Sequence, residues 1–235
     1  MATSSPSRSR RERPAKPALS RAGIIETAVA LLRAEGLERV TMRRLAAELD
    51  TGAASLYVYV RNTAELHAAV LDEMLVPLAL LPNDASEAWA DRIRGTLWSY
   101  TGILIEHPAL ARSALVTRPS GVHFLALVER LLELLAEGGV AAGRAAWGID
   151  LLLQFATSVA LEHGTRNQTT GTQEEEEAVA DALRRAATSG EYPAIEAIGE
   201  AALTGGAAER YGWGVAVLLG GIAMTAIPSN AGMPL

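Results

Sequence analysis

The stretch from Thr41 to Asn62, TMRRLAAELDTGAASLYVYVRN, sets arginines, hydroxyls and small residues at spacings that suit a nucleic acid better than a substrate. Arg43 is placed to reach a base edge, since a guanidinium fork matches the O6 and N7 acceptors of guanine. Arg44 is expected to meet phosphate or solvent. Ala53 and Ala54 offer methyl groups that suit thymine methyls, and Ser55 offers a hydroxyl to base or backbone. Tyr57 and Tyr59 present hydroxyls to phosphate oxygens, joined by Arg61 and by the helix starts at Thr41 and Asn62. One of the two tyrosines is free to pack into the head instead, and Tyr57 is the one expected to make contact.

Other chemistry has less support. The sequence has no cysteine, which excludes a disulfide framework, a thiolate metal site and a cysteine nucleophile. Its histidines are His67, His107, His123 and His163, and no two stand three or four residues apart on one helical face. Glu162 and His163 read as a polar helix end rather than a catalytic pair. With no glycine-rich phosphate loop, paired-carboxylate signature or nucleophile elbow, neither a metal nor a cofactor is expected, and the chain is not expected to be an enzyme.

The elements that must hold the Thr41–Asn62 residues in place follow from hydrophobic periodicity. Ile24, Ala28, Leu31 and Leu32 define a first helix over 22–35, stopped at Gly36. Thr41 caps a second short helix with Leu45, Ala46 and Leu49 on its apolar face, and a turn at Asp50, Thr51 and Gly52 leads to a third over 53–59. Two short helices around a tight turn form a helix-turn-helix, whose second helix enters the major groove. Asn62 and Glu65 have capping-box spacing and open a long helix over 63–78.

Helices are predicted beyond it at 86–106, 108–115, 121–137, 141–163, 175–189, 193–203 and 207–226, with Pro108 and Pro119 in first turns. Residues 164–173, GTRNQTTGTQ, read as a mobile loop, and Glu174 to Glu177 as the acidic opening of the next helix. The fold class is therefore all-α. Gly212, Ala216 and Gly220 line one face of the last helix, which with 141–163 suggests a seam between two copies.

Charge divides along the same line. Residues 1–66 hold 11 basic and 7 acidic side chains, and residues 67–235 hold 10 and 20, within an overall net charge of −6. Lys16 is the only lysine among the 21 basic residues. A basic head on an acidic body implies localised contact with a polyanion. Residues 1–20 carry Arg8, Arg10, Arg11, Arg13 and Lys16 without an apolar run, so they read as a disordered basic arm rather than a secretory signal. No span long enough for a membrane stands out, and a cytoplasmic location is expected.

From Leu19 to Leu75 the chain resembles the TetR family of bacterial one-component regulators, most closely over EGLERVTMRRLAAELDTGAASLYVYVRNTAELHAAVLDEML. The resemblance implies an all-helical homodimer, with a three-helix DNA-binding head and a ligand-binding, dimerising body in each subunit. It implies a repressor that binds a near-palindromic double-stranded operator and releases it when a small-molecule effector occupies the body.

More diffusely, Trp89 to His163 resembles the ligand domain of the family's tetracycline repressors, above all at SALVTRPSG and VALEHG. Glu162 stands where those proteins place a glutamate that serves drug-bound magnesium, whereas Ala114 replaces the matching histidine. Ala79 and Thr96 likewise replace polar drug contacts, so a tetracycline–magnesium ligand is not expected. The expected domains are the arm over 1–20, the helix-turn-helix domain over 21–66 and the body over 67–235. Within the body, Trp89, Leu104, Trp147, Leu151 and Phe155 are candidate cavity walls, and Thr96, Tyr100, Thr117 and Gln154 are candidate polar contacts. The alternatives are an architectural DNA-binding protein without effector and, behind it, a small-molecule enzyme.

Overall fold

The computed structural model describes residues 18–81, 84–117 and 119–228, with the side chain of Ala202 outside that set. The basic positions Arg8, Arg10, Arg11, Arg13 and Lys16 lie outside the described residues. Among the described residues every regular element is helical. The head comprises α1 (Arg21–Glu35), α2 (Met42–Glu48) and α3 (Ala53–Leu56), and α4 (Thr63–Met74) leads away from it. The body comprises α5 (Trp89–Glu106), α6 (Pro108–Thr117), α7 (Val122–Glu137), α8 (Ala142–Gln168), α9 (Thr172–Ala186), α10 (Pro193–Ile198) and α11 (Ala207–Met224).

The head is small and tightly anchored. Ile24, Leu45, Leu56 and Leu66, one from each of α1 to α4, are fully buried together with Val40 and Val60. Burying side chains of this size stabilises by about 1.5–3 kcal/mol each, so packing rather than helix propensity holds α3, which is too short to form alone. The left-handed residue of the turn is Asp50, with φ 47°, not Gly52, with φ −79°. The turn closes where the Thr51 N–H reaches the Ala46 carbonyl at 2.9 Å.

Three predicted boundaries move for identifiable reasons. The third helix ends at Leu56 rather than Tyr59, because Val60 turns inward and Tyr59 binds elsewhere. The long helix stops at Met74 and continues as a 3-10 turn over Val76–Leu80, because Pro77 lacks the amide that an α-helix needs. The predicted loop at 164–173 is helical through Gln168, and the break shrinks to the residues around Gly171, whose φ is 87°. Gly164 is buried where a Cβ would press on the Ile105 carbonyl, and Glu162 pairs with Arg166 one turn on at 3.0 Å. Tertiary packing and an ion pair keep this polar sequence helical. Pro119 precedes α7 instead of opening it.

In the body α8 runs through the middle, against α5, α6, α7 and α11. Its close contact with α11 uses Gly148, where a Cβ would strike Ile222, and Gly214, where a Cβ would strike Phe155. The predicted stripe is not used this way within the subunit, since Ala216 and Gly220 face outward. Glu174 and Glu175 occupy the first turn of α9, as their charge anticipates. No helix of the described residues is long and apolar enough to cross a membrane.

Candidate nucleic-acid interface and effector cavity

Thr41 caps α2, its Oγ1 accepting from the Arg44 N–H at 3.2 Å, and this aims the first turn of α2 outward. Arg43 is exposed and makes no ion pair with a described residue. Arg44, expected at phosphate or solvent, is instead tied to Glu35 of α1 at 2.5 Å and to Glu48 at 2.7 Å. The Arg44 bond, with a smaller contribution from Arg39, holds the Glu35 carboxyl below the usual carboxylate range. Two neighbouring arginines therefore differ in role: Arg44 clamps α2 to α1, and Arg43 stays available.

Ala54, Ser55 and Tyr57 face solvent along α3, while Ala53 is half-buried against the core. Tyr59 departs from the sequence expectation. Its hydroxyl donates to the Leu19 carbonyl at 2.8 Å, so the proton that a phosphate oxygen would accept is already committed. The head thus uses Tyr59 to fasten the segment entering α1, and Tyr57, 52% exposed, is the tyrosine left for contact. Val58 is 80% exposed beside it, an apolar tip that the sequence pattern does not single out because valine usually marks a core.

At α4 the Asn62 Oδ1 accepts from the Glu65 N–H at 2.8 Å, but the Glu65 carboxylate returns to the Arg61 N–H and Nε, both at 2.9 Å, rather than to Asn62. The capping box is shifted by one residue. Both bonds depress the Glu65 carboxyl, the backbone bond more than the guanidinium. His67 joins α4 to the head, with Nε2 donating to the Val40 carbonyl at 3.0 Å.

The body contains a cavity of about 350 Å³ lined by residues of α5, α6 and α8 with Pro119 and Phe124. Three residues expected at a ligand meet there: Tyr100, Ala114 and Gln154. Thr157 donates to the Leu153 carbonyl at 2.7 Å, so the Tyr100 hydroxyl must be the donor in their mutual 2.9 Å bond. Tyr100 then keeps an acceptor oxygen for a bound molecule. Burial raises its phenol further, which keeps it neutral. The sequence reading missed Leu115, Pro119, Phe124, Asp150, Leu153 and Thr157. On α8 the signal was present, because Asp150, Leu153, Gln154 and Thr157 repeat at three and four residues and share a face.

The remaining ligand candidates go elsewhere. Leu104 is core, and Thr96 is buried, donating to the Arg92 carbonyl at 2.8 Å and accepting from Arg130 Nε at 3.3 Å. A second cavity of about 320 Å³ is lined by the buried Arg92, which pairs with Glu137 at 2.7 Å. Thr117 is exposed and donates to the Ser113 carbonyl at 2.8 Å, because the turn that would aim it inward ends there. Trp147 and Leu151 lie on the outer face of α8, 59% and 49% exposed. Phe155 and Glu162 border a separate open groove of about 1010 Å³ against α9 and α11. Phe155 stacks on Tyr211 there with centroids 5.5 Å apart. Among the described residues no three His, Asp or Glu side chains are grouped to hold a metal.

Residues 24–70 match the model of bacterial regulatory proteins of the tetR family, and residues 81–226 match that of the tetracyclin repressor-like C-terminal domain. SCO7704 from Streptomyces, described as a transcription regulator, is 51% identical, with a TM-score of 0.73 over 92% of this chain and all of that one. The TetR family protein ActR of Streptomyces coelicolor, solved in complex with actinorhodin, is 31% identical with a TM-score of 0.72, over 88% of this chain and 96% of ActR. The transcriptional repressor DrrR1 of Streptomyces coeruleorubidus is 28% identical over 88% of this chain and 78% of its own.

Proposed function

The chain belongs to the TetR family of DNA-binding transcriptional regulators, and from that premise we propose that it is a homodimeric repressor which leaves its operator when a small molecule fills the cavity beside Tyr100. The observation that carries this reading is the outward face formed by Arg43, Ala54, Ser55 and Tyr57, joined through α4 to a body that holds the cavity. In a dimer two such faces must meet successive major grooves about 34 Å apart. An effector that prefers another head separation shifts the population away from DNA, and only its differential affinity for the two states counts. The effector fits a volume of about 350 Å³ whose walls mix apolar side chains with Asp150, Gln154 and Thr157, and offers a donor to the Tyr100 oxygen. That ActR is solved in complex with actinorhodin supports a small-molecule effector.

In this reading residues 21–66 bind DNA, residues 67–235 dimerise and sense the ligand, and the protein works in the cytoplasm. Selection of bound duplex from random oligonucleotides tests it directly. The expected product is a near-palindrome with two half-sites one helical turn apart. Indifferent coverage of all duplexes would favour an architectural role, and no retention at low salt would end the DNA-binding reading.

A further inference from the structure

α7 starts without a cap of its own. Its N-cap is Gly121, which has no side chain, and the amides of the first turn need an acceptor from elsewhere. Asp72 of α4 supplies it, with Oδ1 accepting from the His123 N–H at 3.0 Å and the Phe124 N–H at 2.9 Å. The glycine is required by space rather than by conformation: its φ of −74° suits any residue, but a Cβ there would overlap the Asp72 carboxylate. A carboxylate at the N-terminus of a long helix is also favoured by the helix dipole.

This cap joins two places that matter. Towards its start, α4 packs on α1 and His67 binds the Val40 carbonyl, which ties α4 to the head, while α4 also packs on α6 and α7 of the body. At the other partner, Phe124 and the neighbouring Pro119 line the cavity beside Tyr100. We propose that Asp72 is a positioning residue that transmits cavity occupancy to the head by capping α7 from α4. The proposal rests on the ligand-responsive reading above. A molecule that displaces Phe124 and Pro119 moves the two amides that hold Asp72. Hydrogen bonds to consecutive amides are directional and weaken steeply when misaligned, so the cap is either made or broken and α4 follows.

Three variants of the full-length dimer test this. Asp72→Ala removes the acceptor, Gly121→Ala expels the carboxylate without altering the sequence of α4, and Asp72→Asn keeps an acceptor oxygen in place. Since the chain has no cysteine, Glu26→Cys on the exposed side of α1 takes one spin label per subunit, and the label separation reads the head-to-head distance. Asp72→Ala and Gly121→Ala are expected to speed hydrogen exchange at His123 and Phe124, to broaden a narrow label separation, and to weaken binding to the wild-type-selected duplex tenfold or more. Asp72→Asn is expected to stay within threefold of wild type. If Asp72→Ala does not fold, Gly121→Ala decides alone. Faster exchange at α7 with unchanged head separation and unchanged affinity would mean a merely local cap and overturn the proposal. Failure of the regulator reading looks different: wild type itself selects no duplex, while exchange and label separation still report on the cap.

Discussion

Arg43 and Arg44 are identical in type and adjacent in sequence, yet their surroundings assign them opposite tasks. Arg44 is held by two carboxylates and Arg43 by none among the described residues. Arg43→Ala is expected to cost about 1–3 kcal/mol of operator binding and to relax preference at one base position, with no change in thermal midpoint. Arg44→Ala is expected to lower the midpoint of the head while leaving base preference intact. A binding-site selection and a melting curve for each variant separate the two outcomes, and an unchanged preference in Arg43→Ala removes it from base contact. His107 belongs to the same scale. Burial at the end of α5 holds its imidazole below the ordinary value of 6.5, so the unfolded chain takes up the proton more readily than the folded one. The stabilising effect is complete above pH 6.5 and is lost as the pH falls through the window below it. His107→Gln should flatten the melting temperature in that window. The depressed Glu35 and Glu65 carboxyls act with the same sign, but below their ordinary value of 4.5.

Helices announce themselves by period, and here every long one is legible in the sequence. Gly36 ends α1 and Thr41 and Asn62 cap their helices because each signal acts within a few residues. What the sequence does not show is long-range. Tyr59 chooses the Leu19 carbonyl, Arg44 chooses Glu35, and Asp72 caps a helix from another element, all through contacts that no local pattern encodes. The outward-facing residues of the head were therefore more legible than the cavity, where only Tyr100, Ala114 and Gln154 of the expected set converge. α3 shows the dependence most sharply, since a four-residue helix exists only through what it packs against. Leu56 is its fully buried anchor, and Leu56→Ala is expected to remove about 2–5 kcal/mol from the head. Operator binding should disappear while the helical signal of the body persists. Retained binding would show that α3 is held by something other than this side chain.

At the scale of the whole molecule one surface is unexplained by a single copy. Trp147 and Leu151 on α8 and Trp213, Val217 and Met224 on α11 are exposed on two helices that pack against each other. Isolated apolar side chains at a surface need no explanation, but five of them on two packed helices, two being tryptophans, point to an interaction site. A symmetric pair of copies covers such a patch with itself, and the glycine stripe predicted for this seam leaves Gly220 open on the same helix. The acidic body would then sit away from DNA while two basic heads share it. Trp213 and Val217 are 72% and 50% exposed, so Trp213→Glu with Val217→Glu should leave the protomer folded by circular dichroism. Light scattering should give one 24.8 kDa chain in place of two. Linking two half-site contacts is worth about 10²–10⁴ in affinity, so the monomer should lose at least a hundredfold on the full operator and little on an isolated half-site. A double variant that remains dimeric would move the seam to another face, and a monomer with undiminished operator affinity would separate DNA binding from dimerisation altogether.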